Sequence, residues 1–206
     1  PELVPSRSEL LDEHGRQAEL LSMFGVDFLL AETMMSVVEA EAAAEACAAT
    51  GKEFAVSFVC SNGGRLLSGE TLEAAVDAVA AFNPSALLVN CISALHIGSV
   101  HDRLAAAEDC ATGCYANTST PAKGDITVTH HDVTVEEYAE FSRSWVEDGA
   151  RIIGGCCGTT AEHIAALARL HAAASLQQQE DEIAEWIEAR NTRRSRPPTI
   201  DFSDLS

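Results

Sequence analysis

The chain has 206 residues, with 13 basic and 32 acidic side chains and a formal net charge of −19 at pH 7. This length suits one domain with a full core, but a complete eight-stranded α/β barrel typically needs roughly 250 residues. The negative charge repels phosphate backbones and anionic membranes, and no apolar run reaches the ~18 residues of a membrane span. We therefore expect neither a nucleic-acid nor a membrane partner.

Short apolar runs alternate with longer amphipathic stretches along the first 175 residues or so. The runs predict strands at Val26–Ala31, Phe54–Cys60, Ala86–Cys91, Gly113–Asn117 and Arg151–Gly154. The stretches around them predict helices at Ser6–Phe24, Met35–Ala49, Glu70–Phe82, Val100–Ala111, Val135–Asp148 and Thr160–Ala174. This alternation predicts an α/β fold with a parallel sheet, either an open doubly wound sheet or part of a barrel.

Composition changes near residue 175, so we predict a main part at 1–175 and a C-terminal part at 176–206. Gln177–Asn191 is predicted as a polar helix whose apolar side, with Trp186, docks on another surface. An arginine- and proline-rich tail follows, and we expect it to be solvated and partly disordered.

Seven cysteines are many for this length, and their odd number argues against a secreted disulfide framework. They lie in apolar runs and helical patterns, which fits a reducing compartment. The printed sequence shows no signal peptide, so we expect a cytoplasmic protein. Cys47 and Cys60 are predicted core residues, and Cys110 and Cys114 are predicted to be structural.

Three predicted strands end in residues that can carry chemistry. The first ends in Glu32-Thr33, the third in Asn90-Cys91, and the fifth in the adjacent Cys156-Cys157 between glycines. The carboxyl ends of parallel strands meet at one edge of a sheet, so Cys91 can converge on the vicinal pair. Three thiolates with one open position would make a reactive zinc site. The alternative is a group of buried thiols that pack the end of the sheet.

The vicinal thiols precede a helix that we expect to begin at Thr159 or Thr160. Glu162 is three residues beyond Thr159, which is the spacing of a capping box. A helix N-terminus favours negative charge, so it favours the thiolate form of a neighbouring cysteine.

Four segments, in order along the chain, resemble the homocysteine S-methyltransferase family, which includes betaine-, S-methylmethionine- and cobalamin-dependent enzymes. The segments are Asp27–Thr33 (DFLLAET), Leu88–Cys91 (LVNC), Tyr115–Asn117 (YAN) and Ile153–Ile164 (IGGCCGTTAEHI). The resemblance extends from about residue 8 to residue 172, and the GGCCGTT segment is its most specific part.

The resemblance implies a (β/α)8 barrel that binds one zinc ion through Cys91, Cys156 and Cys157. It also implies that the homocysteine thiol takes the fourth position and, as a thiolate, attacks the methyl group of a donor to give methionine. Glu32 matches the family glutamate that holds the homocysteine ammonium group; a carboxylate that stabilises a helix N-terminus is the alternative. Asn117 matches a residue that lines the metal pocket, although Ala116 replaces the usual proline before it.

The family's DGG-type loop and its first three β/α units have no counterpart in this sequence. The chain therefore resembles only about five β/α units, strands four to eight of the barrel, and such a sheet has two open edges. A truncated chain, a partner chain or second copy that completes the barrel, and a degenerate remnant are the three explanations.

The leading functional prediction is zinc-dependent methyl transfer from a small donor to homocysteine. The alternatives are a non-catalytic zinc-binding fragment or subunit that needs a partner, and methyl transfer to another thiol or selenol. The donor is not identified, but no cobalamin or folate module is visible, which favours a small molecule.

Overall fold

The computed structural model of the chain describes residues 5–107, 110–119, 133–170 and 172. Contacts divide the chain into two units, Pro1–Leu167 and Ala168–Ser206. In the second unit, residues 168–170 and 172 are described, and they are helical. The predicted polar helix Gln177–Asn191 and the arginine-rich tail lie outside the described residues.

Strands and helices alternate throughout the described part of the first unit. The strands are β1 Phe28–Met34, β2 Glu53–Val59, β3 Ala86–Ser93, β4 Ala111–Asn117 and β5 Ile152–Gly155. The helices are α1 Arg7–Met23, α2 Val37–Ala49, α3 Leu72–Ala80, α4 Ala94–Ala107 and α5 Val135–Glu147. A sixth helix, α6, covers residues 161–167 of this unit. No helix in the described ranges is both long and apolar enough to cross a membrane.

Polar side chains at the helix N-termini explain where several of these helices begin. Ser6 with Glu9 and Thr134 with Glu137 form capping boxes at α1 and α5. The hydroxyl groups of Ser36 and Thr71 accept backbone hydrogen bonds at α2 and α3, which satisfies donors that the helix leaves unpaired.

The five strands form one parallel sheet in the order β1-β2-β3-β4-β5. A doubly wound open sheet reverses its strand order, whereas a barrel keeps sequential order. The observed order therefore confirms the predicted α/β fold and corresponds to five consecutive units of a barrel. Right-handed crossovers in this order place the helices on one face of the sheet.

Successive side chains of each strand lie on opposite faces of the sheet. On the helix-covered face, Phe58 and Val89 are fully buried in the main core together with residues of α2, α3 and α4. The other face carries a small cluster around Leu88 and Tyr115, while Phe28 and Leu30 of β1 are 44% and 45% exposed. We call this second face the inner face, because it corresponds to a barrel's interior.

Helix α4 is displaced from its predicted position at Val100–Ala111. It begins at Ala94, because the hydroxyl of Ser93 accepts a hydrogen bond from the backbone N–H of Leu95. Its described part ends at Ala107, and Ala111 already belongs to β4. Strand β1 also extends three residues beyond its predicted end, through Glu32 and Thr33 to Met34.

Candidate metal centre

Three thiols converge at the carboxyl edge of the sheet. Cys91 lies near the end of β3, and Cys156 and Cys157 directly follow β5. The Sγ atom of Cys157 is 3.8 Å from that of Cys91 and 3.9 Å from that of Cys156. All three sulfur atoms lie within 4.8 Å of one another. The structure thus brings together three residues that are up to 66 positions apart in sequence.

The spacing of the three sulfur atoms fits a tetrahedral metal site. With Zn–S bonds of about 2.3 Å, two thiolates at adjacent corners of a tetrahedron are about 3.8 Å apart. Two of the three sulfur–sulfur distances, 3.8 and 3.9 Å, match this value, and the third pair lies within 4.8 Å. Three soft sulfur donors suit zinc and leave one position of the tetrahedron for another ligand.

A register shift near the end of β3 places the thiol of Cys91 close to the other two thiols. Strict alternation after Val89 and Asn90 would turn Cys91 toward the helix-covered face. Instead, the pairing register with β4 shifts between Asn90 and Ser93, and Cys91 has a φ of 58°. This left-handed conformation is uncommon outside glycine. It brings the thiol of Cys91 to the sheet edge beside Cys157.

Backbone hydrogen bonds anchor the vicinal pair to the end of β4. The N–H of Cys156 donates to the carbonyl of Ala116 at 2.8 Å, and the carbonyl of Cys157 accepts from the N–H of Thr118 at 3.0 Å. Thr159 Oγ1 donates to the carbonyl of Cys156 at 2.7 Å. Glycine is required at Gly155, because a Cβ there would overlap the Thr159 side chain.

The cap of α6 differs from the predicted capping box of Thr159 and Glu162. The backbone N–H of Thr160 donates to Nδ1 of His163 at 3.1 Å, and the Thr160 hydroxyl lies 3.0 Å from the same nitrogen. Thr159 is instead committed to the carbonyl of Cys156. A histidine ring thus occupies the position that an acidic side chain would take in a capping box, and the helix begins one residue later.

Asn117, at the end of β4, contacts both sides of the thiol cluster. Its Oδ1 accepts a hydrogen bond from the N–H of Cys157 at 3.1 Å, and its Nδ2 lies 3.8 Å from Sγ of Cys91. The side chain is buried, with 3% exposure. The Asn117 side chain therefore lies against the thiol cluster.

The three thiols differ in acidity because they hydrogen-bond to one another. The thiol of Cys156 stabilises the thiolate of Cys91, which lowers the pKa of Cys91 below its usual value. The same interaction and burial raise the pKa of Cys156, and burial raises the pKa of Cys157. Cys91 is therefore the first of the three to ionise in the metal-free protein.

Glu32 lies on the inner face of β1, where its side chain is exposed. Its neighbour there is Tyr115 of β4, which is 8% exposed and whose hydroxyl has no hydrogen-bond partner among the described residues. Burial raises the pKa of Tyr115, and the charges of Glu32 and Cys156 raise it further. Tyr115 thus connects the region of Glu32 with that of the thiols.

A buried hydrogen-bond chain below the thiols was not predicted from the sequence. The hydroxyl of Ser57 donates to Oδ1 of Asn90 at 2.7 Å, and Nδ2 of Asn90 donates to Oγ1 of Thr33 at 2.8 Å. Asn90 and Thr33 were predicted only as residues at strand ends. Polar residues at alternate positions of apolar strands are the signal that could have identified this chain.

Solved structures of an Escherichia coli homocysteine methyltransferase, MmuM, are similar to this chain. The apo form has 27% sequence identity and a TM-score of 0.67, and the match covers 82% of this chain and 59% of the other. The metallated form has 28% identity and a TM-score of 0.68, with coverage of 81% and 53%. The chain therefore spans little more than half the length of these solved relatives.

The family model that describes homocysteine S-methyltransferases matches residues 2–171, which is most of the chain. The matched region contains the five β/α units and all three clustered thiols. The chain belongs to the homocysteine S-methyltransferase family.

Proposed function

We propose that this chain takes part in zinc-dependent methyl transfer from a small-molecule donor to the thiol of homocysteine, which gives methionine. The single observation that carries this proposal is the three-thiol cluster with tetrahedral spacing in a member of this family. Its likeness to a homocysteine methyltransferase solved in a metallated form supports the presence of a metal.

In this proposal Cys91, Cys156 and Cys157 hold the zinc ion. Bound zinc lowers the pKa of a thiol at its open position, so that a nucleophilic thiolate is present at neutral pH. Two further residues of the chain bind the substrate and orient a zinc ligand. Glu32 accepts hydrogen bonds from the substrate ammonium group, and Asn117 fixes the orientation of Cys157 through its N–H.

The donor in this proposal is a small molecule with an activated methyl group, such as a sulfonium or quaternary ammonium compound. Free thiols at an exposed edge persist in a reducing compartment, so we place the protein in the cytoplasm. Homocysteine and the donor are then the two substrates.

A second candidate function is a zinc-binding subunit that becomes catalytic only with a further segment or chain. The observation that favours it is the outer edge of β1, which pairs with no strand among the described residues. A groove of about 260 Å³ runs there between α1 and the strand and includes Leu30 and Glu32. Phe28 and Leu30 expose apolar surface on the inner face. A strand paired with β1, from another copy or a partner chain, would cover both features.

The first test is the zinc content of the reduced, anaerobically purified chain, measured by elemental analysis without chelators. We expect about one zinc per chain, its loss in Cys156→Ser, and its retention in Cys47→Ser, which changes a buried thiol of α2. A Cys156→Ser protein with a full equivalent of zinc would refute the site.

The second test is activity. Homocysteine is incubated with S-methylmethionine or betaine, and methionine is quantified by mass spectrometry. Methionine formation that depends on zinc supports the enzyme, whereas a zinc-loaded but inactive chain favours the subunit that needs a partner.

A further inference from the structure

Two residues near the carboxyl ends of strands, one in β1 and one in β3, have a backbone conformation that L-amino acids rarely adopt. Thr33 at the end of β1 has a φ of 64°, and Cys91 at the end of β3 has a φ of 58°. Each lies where the register of strand pairing shifts. Threonine is β-branched, so this conformation is especially unfavourable there and persists only if surrounding contacts impose it.

Asn90 is related to both residues: its side chain contacts Thr33, and it directly precedes Cys91 in the sequence. Asn90 is fully buried, its Nδ2 donates to Oγ1 of Thr33, and its peptide bond leads into Cys91. The hydroxyl of Ser57, also fully buried, donates to Oδ1 of Asn90 and fixes the orientation of the amide. A primary amide can accept and donate at once, which a carboxylate or an aliphatic side chain cannot.

We infer that Asn90 is a positioning residue that sets the thiol of Cys91 and the carboxylate of Glu32 relative to each other. Its amide joins the irregularity of β1 at Thr33, the residue after Glu32, to the irregularity of β3 at Cys91. The assignment of Glu32 and of zinc rests on the proposed function. The preorganisation of the three thiols by this hydrogen-bond chain does not depend on it.

A general contribution to sheet stability is the competing explanation. The two explanations differ, because loss of the Asn90–Thr33 bond should disturb thiol geometry beyond any loss of stability. Thr112 offers a matched control: it is a buried threonine of β4 whose hydroxyl lies 3.1 Å from His101 on the helix-covered face. Its replacement by valine removes a similar bond away from the thiols.

The test uses Thr33→Val, Ser57→Ala and Asn90→Leu in the full chain, with Thr112→Val as control. Arsenite is the probe, because trivalent arsenic binds three thiolates and reports their geometry without zinc. Zinc affinity by chelator competition and the visible spectrum of the cobalt(II)-loaded protein are the second and third readouts. Circular dichroism and urea unfolding establish the fold and stability of each variant.

We expect Thr33→Val and Asn90→Leu to weaken arsenite and zinc binding at least tenfold and to alter the cobalt spectrum. We expect Thr112→Val to change binding less than twofold at a comparable loss of stability. Folded Thr33→Val and Ser57→Ala proteins that bind arsenite as tightly as the parent would overturn the inference, even if Asn90→Leu fails to fold. A parent chain that does not bind arsenite would overturn it as well.

Failure of the proposed function gives a different result. A parent chain that binds arsenite tightly, in a manner that depends on Thr33 and Asn90, but produces no methionine would leave the positioning role supported. The methyl transfer assay alone would then have failed.

Discussion

The cysteines of this chain occupy two environments with opposite chemistry. Cys60 and Cys114 are buried among apolar side chains, and burial raises the pKa of Cys60 to about 11 and that of Cys114 to about 12. Low-dielectric surroundings disfavour the thiolate, so these residues behave as small apolar side chains. Cys157, at the sheet edge, is exposed and can meet a ligand.

This contrast predicts the order of alkylation in the metal-free protein. A thiol whose pKa rises from 9.0 to about 11 has a thiolate fraction about a hundredfold smaller at pH 8, and the thiolate is the reactive form. With iodoacetamide at pH 8, we expect the three sheet-edge cysteines to react, with Cys91 the most readily ionised of them, and Cys60 and Cys114 to remain unmodified. Labelling of Cys60 should increase only as the pH approaches 11.

Peptide mass spectrometry after timed quenching measures the labelling of each cysteine. The urea-unfolded chain is the control, because all its thiols should react at similar rates. Native-state labelling of Cys60 as fast as in the unfolded chain would contradict the buried environment.

Strand β4 has a glycine, Gly113, where it packs against β5. A Cβ at Gly113 would overlap the backbone carbonyl of Ile152, so no side chain fits there without separating the two strands. The strand pair matters for the site, since β5 leads directly into the vicinal cysteines and β4 ends at Asn117.

We predict that Gly113→Ala lowers the free energy of unfolding by about 1–3 kcal/mol, the usual cost of overpacking. Gly15→Ala is the matched control, because nothing lies within 4 Å of a Cβ at this position in α1. It should raise the free energy by about 0.5–1 kcal/mol through helix propensity. Urea denaturation measures both, and a Gly113→Ala protein as stable as the parent would contradict the close packing of β4 against β5.

For the molecule as a whole, the inner face and the free edge of β1 determine how the chain behaves when expressed alone. Phe28 and Leu30 are exposed on a strand whose outer side has no partner among the described residues. Unpaired strand edges with apolar side chains promote association.

We therefore predict that the 206-residue chain associates in solution and that Leu30→Lys shifts it toward the 21.8 kDa monomer. Leu67→Lys is the control, because Leu67 is 61% exposed outside the sheet and its replacement should leave association unchanged. Sedimentation velocity over a range of concentrations measures the masses. A parent chain that is monomeric at all concentrations would refute the prediction.

The sequence by itself determined the alternation of strands and helices and the family of the chain. These properties depend on short contiguous segments, such as the apolar run Ala86–Cys91 and the segment that contains Cys156 and Cys157. Local periodicity and local motifs are visible without knowledge of what lies nearby in space. The convergence of Cys91 with Cys156 and Cys157 could also be predicted from the sequence, because the carboxyl ends of parallel strands share one edge of the sheet.

Only the tertiary structure decided how the site is held. The left-handed turns at Thr33 and Cys91 shift the strand register, and a shift of one residue reverses the face that a side chain occupies. The bonds of Asn90 to Ser57 and Thr33 join three strands, and the nearer partner is 33 positions away in sequence. Such contacts follow from the packing of distant segments, so a local pattern can mark a polar residue in an apolar strand but not the partner that it meets.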